Sequence, residues 1–439
     1  MQAFTGRSTA RSVVLTLTLI GMAGCSAAPP SASPSPSPLP SASPVSTEPS
    51  LPLPTASPSP APTLVPSPTP LPPVGAAPAG PWTSVAWIDA GSGLSVAQTN
   101  VAVRGWTGGY VAIRTAGGDS VGDATKPLAI STQSSADGLH WSAAADLDVT
   151  GLDSSIQVAG LAEGPDGLLM FGEPFGDTCG GPPTIVALWS SHDARTWHRL
   201  PMPKAFASNS VETMSGGSAG FIATGHLRNG TTPAIWLSND GAAWRAAPLP
   251  RVSSGQLVVN DAASFAGGLV VGGAILGPGE CGSPSRLHPT VWWSADGRRW
   301  TQAPLPGASS SANATVRLVR LSDHTVAAFE STDAEADLAW VSTDGRSWQS
   351  VPSLPTTAEY GMVTGGRHAV VIIQPDGGSG PATVVTFDDR LTARTVAQIG
   401  QVPMADPDSA GWIFAVGPTG ILVVREDGGR LWLGVPSST

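Results

Sequence analysis

A seven-residue motif occurs five times between residues 135 and 348: a serine, a variable residue, an aspartate, three variable residues of which the first is usually glycine, and a tryptophan. Its copies follow one another at intervals of about 50 residues, a repeat length typical of propellers and other repeat folds. A repeated unit of this size buries its apolar face only against neighbouring units, so the chain is predicted to be a succession of similar units. The fixed positions are Ser135, Asp137 and Trp141, Ser191, Asp193 and Trp197, Ser238, Asp240 and Trp244, Ser294, Asp296 and Trp300, and Ser342, Asp344 and Trp348.

The segments around each motif have the pattern of short β-strands. An alternating segment such as 155–164 is followed by a Gly-punctuated apolar run such as 166–173, and a third apolar segment such as 233–238 leads into the motif. A short last segment follows and often ends in proline, as in 244–250. Alternation with period 2 and Gly, Asn or Asp at the boundaries favour strands over helices. We therefore predict an all-β chain in which each unit is a four-stranded antiparallel blade of a β-propeller.

Two degenerate units extend the pattern towards the C-terminus. Residues 358–400 repeat the plan without the tryptophan, and residues 409–436 supply three strand-like segments instead of four. A strand-like segment at 82–90 belongs to no repeat of its own. We therefore predict seven blades, the last of them closed by residues 82–90, with six or eight blades as the alternatives.

The repeated motif resembles the Asp-box, also called the BNR repeat, of sialidase-like propellers, and the resemblance covers nearly all of residues 82–439. It implies a turn between the third and fourth strands, in which the Asp and Ser side chains accept hydrogen bonds from backbone N–H groups. In that family the boxes lie on the face opposite the ligand site and serve folding. The fifteen fixed residues are therefore expected to be structural, and none of the aspartates to be catalytic.

The N-terminal 25 residues look like an export signal. Arg7 and Arg11 precede an apolar run at 12–23 that is too short to span a bilayer. The run ends in Met-Ala-Gly-Cys, which resembles the bacterial lipobox, with Met22 in place of the usual leucine. The resemblance implies that Cys25 is lipidated and anchors the exported protein to a cell membrane or outer envelope, facing away from the cytoplasm. The alternative is an ordinary signal peptide in which Cys25 has no role.

Residues 26–80 alternate proline with serine, alanine and threonine and contain nothing that could fill a core. Proline-rich chains extend by about 3.1 Å per residue, so this segment is predicted to be a disordered tether with a reach on the order of 150 Å. The remaining residues, 81–439, form the predicted propeller domain.

The charge of the chain argues against one class of partner, nucleic acids. The formal net charge is −10 and only 12% of residues are charged, so nucleic-acid binding through phosphate neutralisation is not expected.

Cys179 and Cys281 lie in Gly/Pro-rich insertions at equivalent places in alternate repeats, and in an exported chain they suggest one disulfide. Two free thiols are the alternative. No metal site and no cofactor are predicted.

Catalytic signatures are sparse. An exo-sialidase needs three arginines that clamp a carboxylate, a Tyr–Glu pair and an Asp acid/base. Three arginines do fall on first-strand segments, and Tyr360 follows Glu359, but adjacent strand residues point to opposite faces. The other tyrosine, Tyr110, is predicted to belong to the core. The three arginines on first-strand segments are Arg104, Arg317 and Arg320. No residue of the chain is assigned a catalytic role.

These observations lead to one functional expectation and one alternative. The chain is expected to be a membrane-anchored extracytoplasmic propeller that acts as a binding or scaffold module for an envelope or extracellular protein or a glycan. The recognition face would comprise the long loops before the third strands, with Cys179 and Cys281, and the first-strand ends around the central channel. The alternative is a glycoside hydrolase of sialidase-like type with a non-standard active site.

Overall fold

The fold is all-β, as the sequence predicted. The computed structural model describes residues 82–91, 94, 100–116, 128–152, 156–174, 185–228, 230–277, 286–311, 314–331, 338–351, 362–366, 369–373, 383–387, 393–398, 412–425 and 430–437. These residues form 28 strands and one short 3₁₀ turn at Lys204–Phe206. Within these ranges, no helical segment reaches the length and apolarity that a bilayer crossing requires.

The strands of the described residues form seven antiparallel sheets, and each sheet has four strands. Sheet 1 is β2 (Asn100–Trp106), β3 (Gly109–Ala116), β4 (Ala129–Ser135) and β5 (Ala145–Asp146); sheet 2 is β6 (Ile156–Gly164), β7 (Gly167–Pro174), β8 (Ala187–Ser191) and β9 (His198–Leu200); sheet 3 is β10 (Ser210–Gly217), β11 (Gly220–His226), β12 (Pro233–Ser238) and β13 (Arg245–Ala247). Sheet 4 is β14 (Gln256–Phe265), β15 (Gly268–Leu276), β16 (Leu287–Ser294) and β17 (Thr301–Ala303); sheet 5 is β18 (Thr315–Ser322), β19 (Thr325–Ser331), β20 (Ala339–Ser342) and β21 (Gln349–Ser350); sheet 6 is β22 (Met362–Gly366), β23 (Ala369–Ile373), β24 (Thr383–Phe387) and β25 (Ala393–Gln398); sheet 7 is β26 (Trp412–Val416), β27 (Ile421–Arg425), β28 (Leu431–Ser437) and β1 (Ser84–Gly91).

The first strands of the sheets surround a common axis. Each lies beside the first strands of the sheets before and after it, in the cyclic order β2, β6, β10, β14, β18, β22, β26 and again β2. A ring of radially arranged four-stranded sheets is a β-propeller. The predicted propeller of four-stranded antiparallel blades is therefore confirmed.

The last sheet joins the first and last described strands of the chain. β1 pairs antiparallel with β28 from Ser84 opposite Ser437 to Gly91 opposite Leu431. The Thr83 N–H donates to the Ser437 carbonyl at 2.9 Å. The segment predicted to close the last blade, 82–90, thus occupies the place of a fourth strand, one that the C-terminal repeat does not supply.

The core lies between neighbouring sheets. One apolar cluster, for example, joins Val111 and Ile113 of sheet 1 to Leu168 and Met170 of sheet 2. Four sheets also place a fully buried tryptophan on the third strand, two residues before the serine of the repeated motif. These large side chains bury apolar area at the four interfaces from sheets 1 and 2 to sheets 4 and 5. They are Trp189, Trp236, Trp292 and Trp340.

Candidate functional site

Each copy of the motif forms a turn at the end of a third strand, and its side chains bond to the turn itself. In the second copy, Ser191 Oγ accepts the Ala194 N–H at 2.9 Å and donates to Asp193 Oδ1 at 3.2 Å. The same carboxylate oxygen accepts the N–H groups of Arg195 and Thr196, both at 2.9 Å. The Trp197 indole donates to the Ala194 carbonyl at 3.3 Å. The third and fifth copies repeat all of these contacts. We call the five copies the repeated turns.

The position after each aspartate has a left-handed backbone, which explains the glycine of the motif. The backbone φ there is +82° at Gly138, +74° at Gly241, +72° at Gly297 and +71° at Gly345. Such φ values cost little for glycine and about 1–2 kcal/mol for other residues. Ala194 is the exception: it adopts φ +59° with its side chain fully buried.

Four aspartates of the repeated turns have a pKa below the ordinary value: Asp137, Asp193, Asp240 and Asp344. Burial raises the pKa of Asp137, but hydrogen bonds from His140, Leu139 and Ser135 outweigh it and lower the pKa to about 2. His140 Nδ1 lies 2.6 Å from Asp137 Oδ2. A carboxylate with so low a pKa and so many internal partners has no proton to give to a substrate. Both carboxylate oxygens of Asp137 are thus engaged within its own turn.

A different set of charged residues lies on the ring axis. Arg320 on β18 donates to Glu163 on β6 at 3.2 Å, and their side chains are 22% and 17% exposed. Sheets 2 and 5 are not neighbours, since sheets 3 and 4 lie between them on one side of the ring and sheets 6, 7 and 1 on the other. An ion pair between them therefore crosses the axis. We call Glu163 and Arg320 the axial pair.

The axial pair lies at the end of the ring that carries the repeated turns. First and third strands run in the same direction because both pair antiparallel with the second strand, so their last residues share one end of the ring. We call this the turn-side end. There, the Thr107 N–H donates to Glu163 Oε2 at 3.1 Å, and the Thr107 hydroxyl also donates to this carboxylate. Asp323 accepts from Arg320 at 3.2 Å, and its carbonyl accepts the Ala266 N–H. The network links sheets 1, 2, 4 and 5.

A shallow cleft adjoins the axial pair at the turn-side end. Its volume is about 400 Å³. The residues that line it include Trp106, Glu163, Asp166 and His192. Glu163 is already engaged by Arg320 and Thr107, and Asp166 is the other acidic residue of this lining.

Two further ionisable groups lie deeper among the first strands. Arg104 on β2 donates to the carbonyls of Val103 at 3.0 Å and Ala159 at 3.5 Å, and burial lowers its pKa. Burial raises the pKa of Asp261 on β14, against the opposing effects of Arg317 and of two backbone N–H donors. Those donors are Leu318 at 2.9 Å and Ala262 at 2.8 Å. Asp261 thus combines a raised pKa with a nearby arginine on the next first strand.

The opposite end of sheets 2 and 3 is also polar. His226 Nδ1 lies 2.6 Å from Glu212 Oε1, and this hydrogen bond raises the histidine pKa in spite of burial. Burial raises the pKa of Glu173, against a 3.4 Å hydrogen bond from Gln157. Among the described residues, no three His, Cys, Asp or Glu side chains are grouped so as to hold a metal ion.

The residues singled out from the sequence fall into three groups. Arg104, Arg317 and Arg320 do lie on first strands. Tyr110 is fully buried and donates to the Gly420 carbonyl at 2.9 Å, so it belongs to the core as predicted. Cys25, Cys179, Cys281, Glu359 and Tyr360 lie outside the described residues.

Sequence reasoning missed Glu163 and Asp261. Both are acidic residues within first-strand segments otherwise rich in small and apolar residues. An alignment of the first strands with one another would have exposed these two positions as departures from the repeat.

Comparisons with known proteins give no family for this chain. No protein-family model matches the sequence, and no curated protein matches it either. Solved structures with a similar arrangement include a mutant NanB sialidase from Streptococcus pneumoniae, with 12% identity over 81% of this chain and 70% of that one and a TM-score of 0.36. Trypanosoma rangeli sialidase shows 12% identity over 78% and 55% of the two chains, with a TM-score of 0.38. Pyrococcus horikoshii acylaminoacyl peptidase shows 10% identity over 76% and 51%, with a TM-score of 0.44. Sequence identities and TM-scores this low do not bear on function. The propeller is established by the strand pairing of the chain itself.

Proposed function

We propose that this protein is an extracytoplasmic lipoprotein whose propeller binds a protein or glycan partner at the end of the ring opposite the repeated turns. The observation that carries the proposal is the axial pair. Glu163 and Arg320 meet across the axis at the turn-side end, 3.2 Å apart. A ligand that reaches the axial channel would therefore enter from the opposite end, where Arg317 is exposed on β18.

The finer architecture is part of the same proposal. The ring has seven blades, the last of them completed by β1, and the repeated turns are Asp-boxes whose serine, aspartate and tryptophan residues only stabilise the blades. Cys25 carries the lipid, and residues 26–80 are the tether that holds the propeller away from the membrane. The cyclic order of the first strands and the internal hydrogen bonds of the turns support the first two statements.

The arginines favour binding over sialidase chemistry. A carboxylate clamp needs arginines whose guanidinium groups are available to the substrate. Arg320 is already paired with Glu163 and Asp323, and Arg104 donates to two backbone carbonyls. Of the three arginines that the sequence placed on first strands, only Arg317 is exposed.

Glycoside hydrolysis is the second candidate, and Asp261 is the observation that favours it. A carboxyl whose pKa is raised by burial can hold a proton and act as a general acid. The adjacent Arg317 opposes that shift and would bind an anionic group of a substrate. Hydrolysis of aryl glycosides, aryl sialosides included, that is lost in Asp261→Asn would replace the binding proposal with this one.

The test of binding uses the secreted Cys25→Ser chain as bait against envelope proteins and a glycan panel. Arg317→Ala should weaken capture of the partner at least about tenfold while leaving the melting temperature unchanged. Arg298→Ala is the matched control, because Arg298 is an arginine of a repeated turn whose side chain is 79% exposed. Loss of capture with Arg298→Ala but not with Arg317→Ala would place recognition on the turn-side end and overturn the proposal.

The anchor is tested separately by cell fractionation. The full chain should sediment with membranes, and Cys25→Ser should appear in the soluble exported fraction. Membrane retention of Cys25→Ser would show that Cys25 is not the anchor.

A further inference from the structure

A serine and a histidine form a close pair away from the axial pair and the repeated turns. Ser310 Oγ lies 2.5 Å from His288 Nδ1. Ser310 belongs to the connection between β17 and β18, and His288 is the second residue of β16. Since β16 ends at the repeated turn of sheet 4, its beginning lies at the opposite end of the ring.

The backbone holds the two side chains in register. Leu287 and Ser311 form an antiparallel bridge, in which the Leu287 N–H donates at 2.8 Å and the Ser311 N–H at 3.2 Å. The next residues inward from this bridge are His288 and Ser310, so they face each other as a cross-strand pair.

Neighbouring contacts fix both partners further. Ser309 Oγ donates to Glu330 Oε1 of sheet 5 at 3.3 Å, which ties the connection to the next blade. On the other side of the imidazole, a Cβ at Gly277 would lie 3.2 Å from His288 Nε2, so the ring is packed closely against this glycine. The hydrogen bond therefore joins two groups whose positions are both set by the fold.

In the tautomer that carries its proton on Nε2, His288 Nδ1 accepts the hydrogen bond from the Ser310 hydroxyl, and this is the arrangement from which a nucleophile is generated. We propose that Ser310 is a reactive nucleophile with His288 as its base, and that it accepts acyl groups from esters. The Ser310 Oγ attacks the ester carbonyl carbon while its proton passes to His288 Nδ1. The C–O bond to the alcohol then breaks, and the imidazolium returns the proton to the departing alkoxide. Water hydrolyses the acyl-serine by the same route.

Accessibility points to the class of ester. Ser310 is half-buried and His288 is exposed, so the pair is open to solvent at the edge between sheets 4 and 5. Small acyl groups on activated alcohols fit such an open position better than long acyl chains, which need an enclosed apolar pocket. This activity is separate from the binding proposed above and does not depend on it.

The test is labelling of the folded full-length chain with an alkyl fluorophosphonate. The probe forms a phosphorus–oxygen bond to an activated serine and releases fluoride, and peptide fragmentation identifies which serine carries it. We expect the adduct on Ser310 in the native protein and none there after heat denaturation. His288→Gln should reduce the labelling rate at least about tenfold, because a general base contributes that much or more.

Two variants keep the result interpretable. Ser253→Ala is the matched control, because Ser253 is an exposed serine in the connection between β13 and β14, and it should leave labelling of Ser310 unchanged. Its melting temperature and that of His288→Gln are compared with the parent. Absence of an adduct on Ser310 in the native chain would overturn the proposal. So would equal labelling of Ser310 in the parent and His288→Gln, or in native and denatured protein. Capture of a partner by the Cys25→Ser bait is unaffected by either outcome, which keeps the two proposals distinguishable.

Discussion

The aspartate of each repeated turn accepts hydrogen bonds from groups of its own turn. One carboxylate oxygen of Asp240 accepts the N–H groups of Ala242 and Ala243 and the hydroxyl of Ser238. These N–H groups follow a left-handed residue and have no strand partner, so without the carboxylate they would be satisfied only by water. At the scale of single residues, the motif is therefore a device for ending one strand and starting the next.

Asp240→Ala should lower the free energy of unfolding by about 1–3 kcal/mol, because it removes these hydrogen bonds from the turn. Asp296→Ala should cost less, since the one turn N–H that Asp296 is seen to accept is that of Arg298. Urea denaturation of both variants measures the difference. Asn239→Ala is the control within the same turn, because Asn239 is exposed and directly precedes Asp240. A cost for Asn239→Ala equal to that for Asp240→Ala would contradict this account.

Acid should weaken the first repeated turn through Asp137. Its pKa in the folded chain is about 2, below its ordinary value of 3.8, so the turn gains stability above about pH 4 and loses it as pH falls towards 2. Since the carboxylate is partly solvent-screened, the loss should be about 1 kcal/mol. His140→Ala removes one cause of the lowered pKa and should reduce the difference in unfolding free energy between pH 5 and pH 2.5. An unchanged difference would show that His140 contributes nothing to it.

At the scale of strands, the sequence predicted local pattern well and contact between distant strands poorly. Alternation and turn residues marked β6 and β18 as first strands, because period and boundary are local properties. The ion pair between these two strands joins residues 157 positions apart and depends on how many sheets close the ring. The hydrogen bond between Ser310 and His288 likewise depends on a bridge formed only after the connection folds back. Neither pair can therefore be recognised from the spacing of residues along the sequence.

The axial pair should stabilise the ring more than an ordinary surface ion pair. Glu163 is 17% exposed and lies across the axis from Arg320, whereas Asp323 is 55% exposed and only three residues from it. Double-mutant cycles with glutamine or asparagine should give a coupling of about 1–2 kcal/mol for Glu163 and Arg320, and below about 1 kcal/mol for Asp323 and Arg320. Denaturant unfolding of the single and double variants measures both couplings. Equal coupling free energies for the two pairs would mean that the position on the axis does not strengthen the ion pair.

At the scale of the whole molecule, ring closure depends on pairing the first and last described strands. The other sheets are each built from one continuous stretch of chain, and sheet 7 alone among those described combines residues 84–91 with 412–437. Its third strand ends at Ser437, where Ser84 Oγ meets Ser437 Oγ at 2.6 Å. Sheets 1 to 5 have a repeated turn at this position, so in sheet 7 the pairing of two chain segments takes the place of the turn.

Removal of β1 should therefore open the ring, whereas removal of the tether should not. A chain that lacks residues 1–80 keeps β1 and should melt like the full chain, since all the described strands begin at or after Ser84. A chain that lacks residues 1–91 loses seven paired positions along β28 and the fully buried Trp82. The bared edge of β28 is apolar, and such edges recruit other chains. We expect the melting temperature of the shorter chain to fall by about 10 °C or more, with aggregation that grows with concentration. Calorimetry and light scattering on the two chains measure both effects, and equal melting of the two would show that the ring closes without β1.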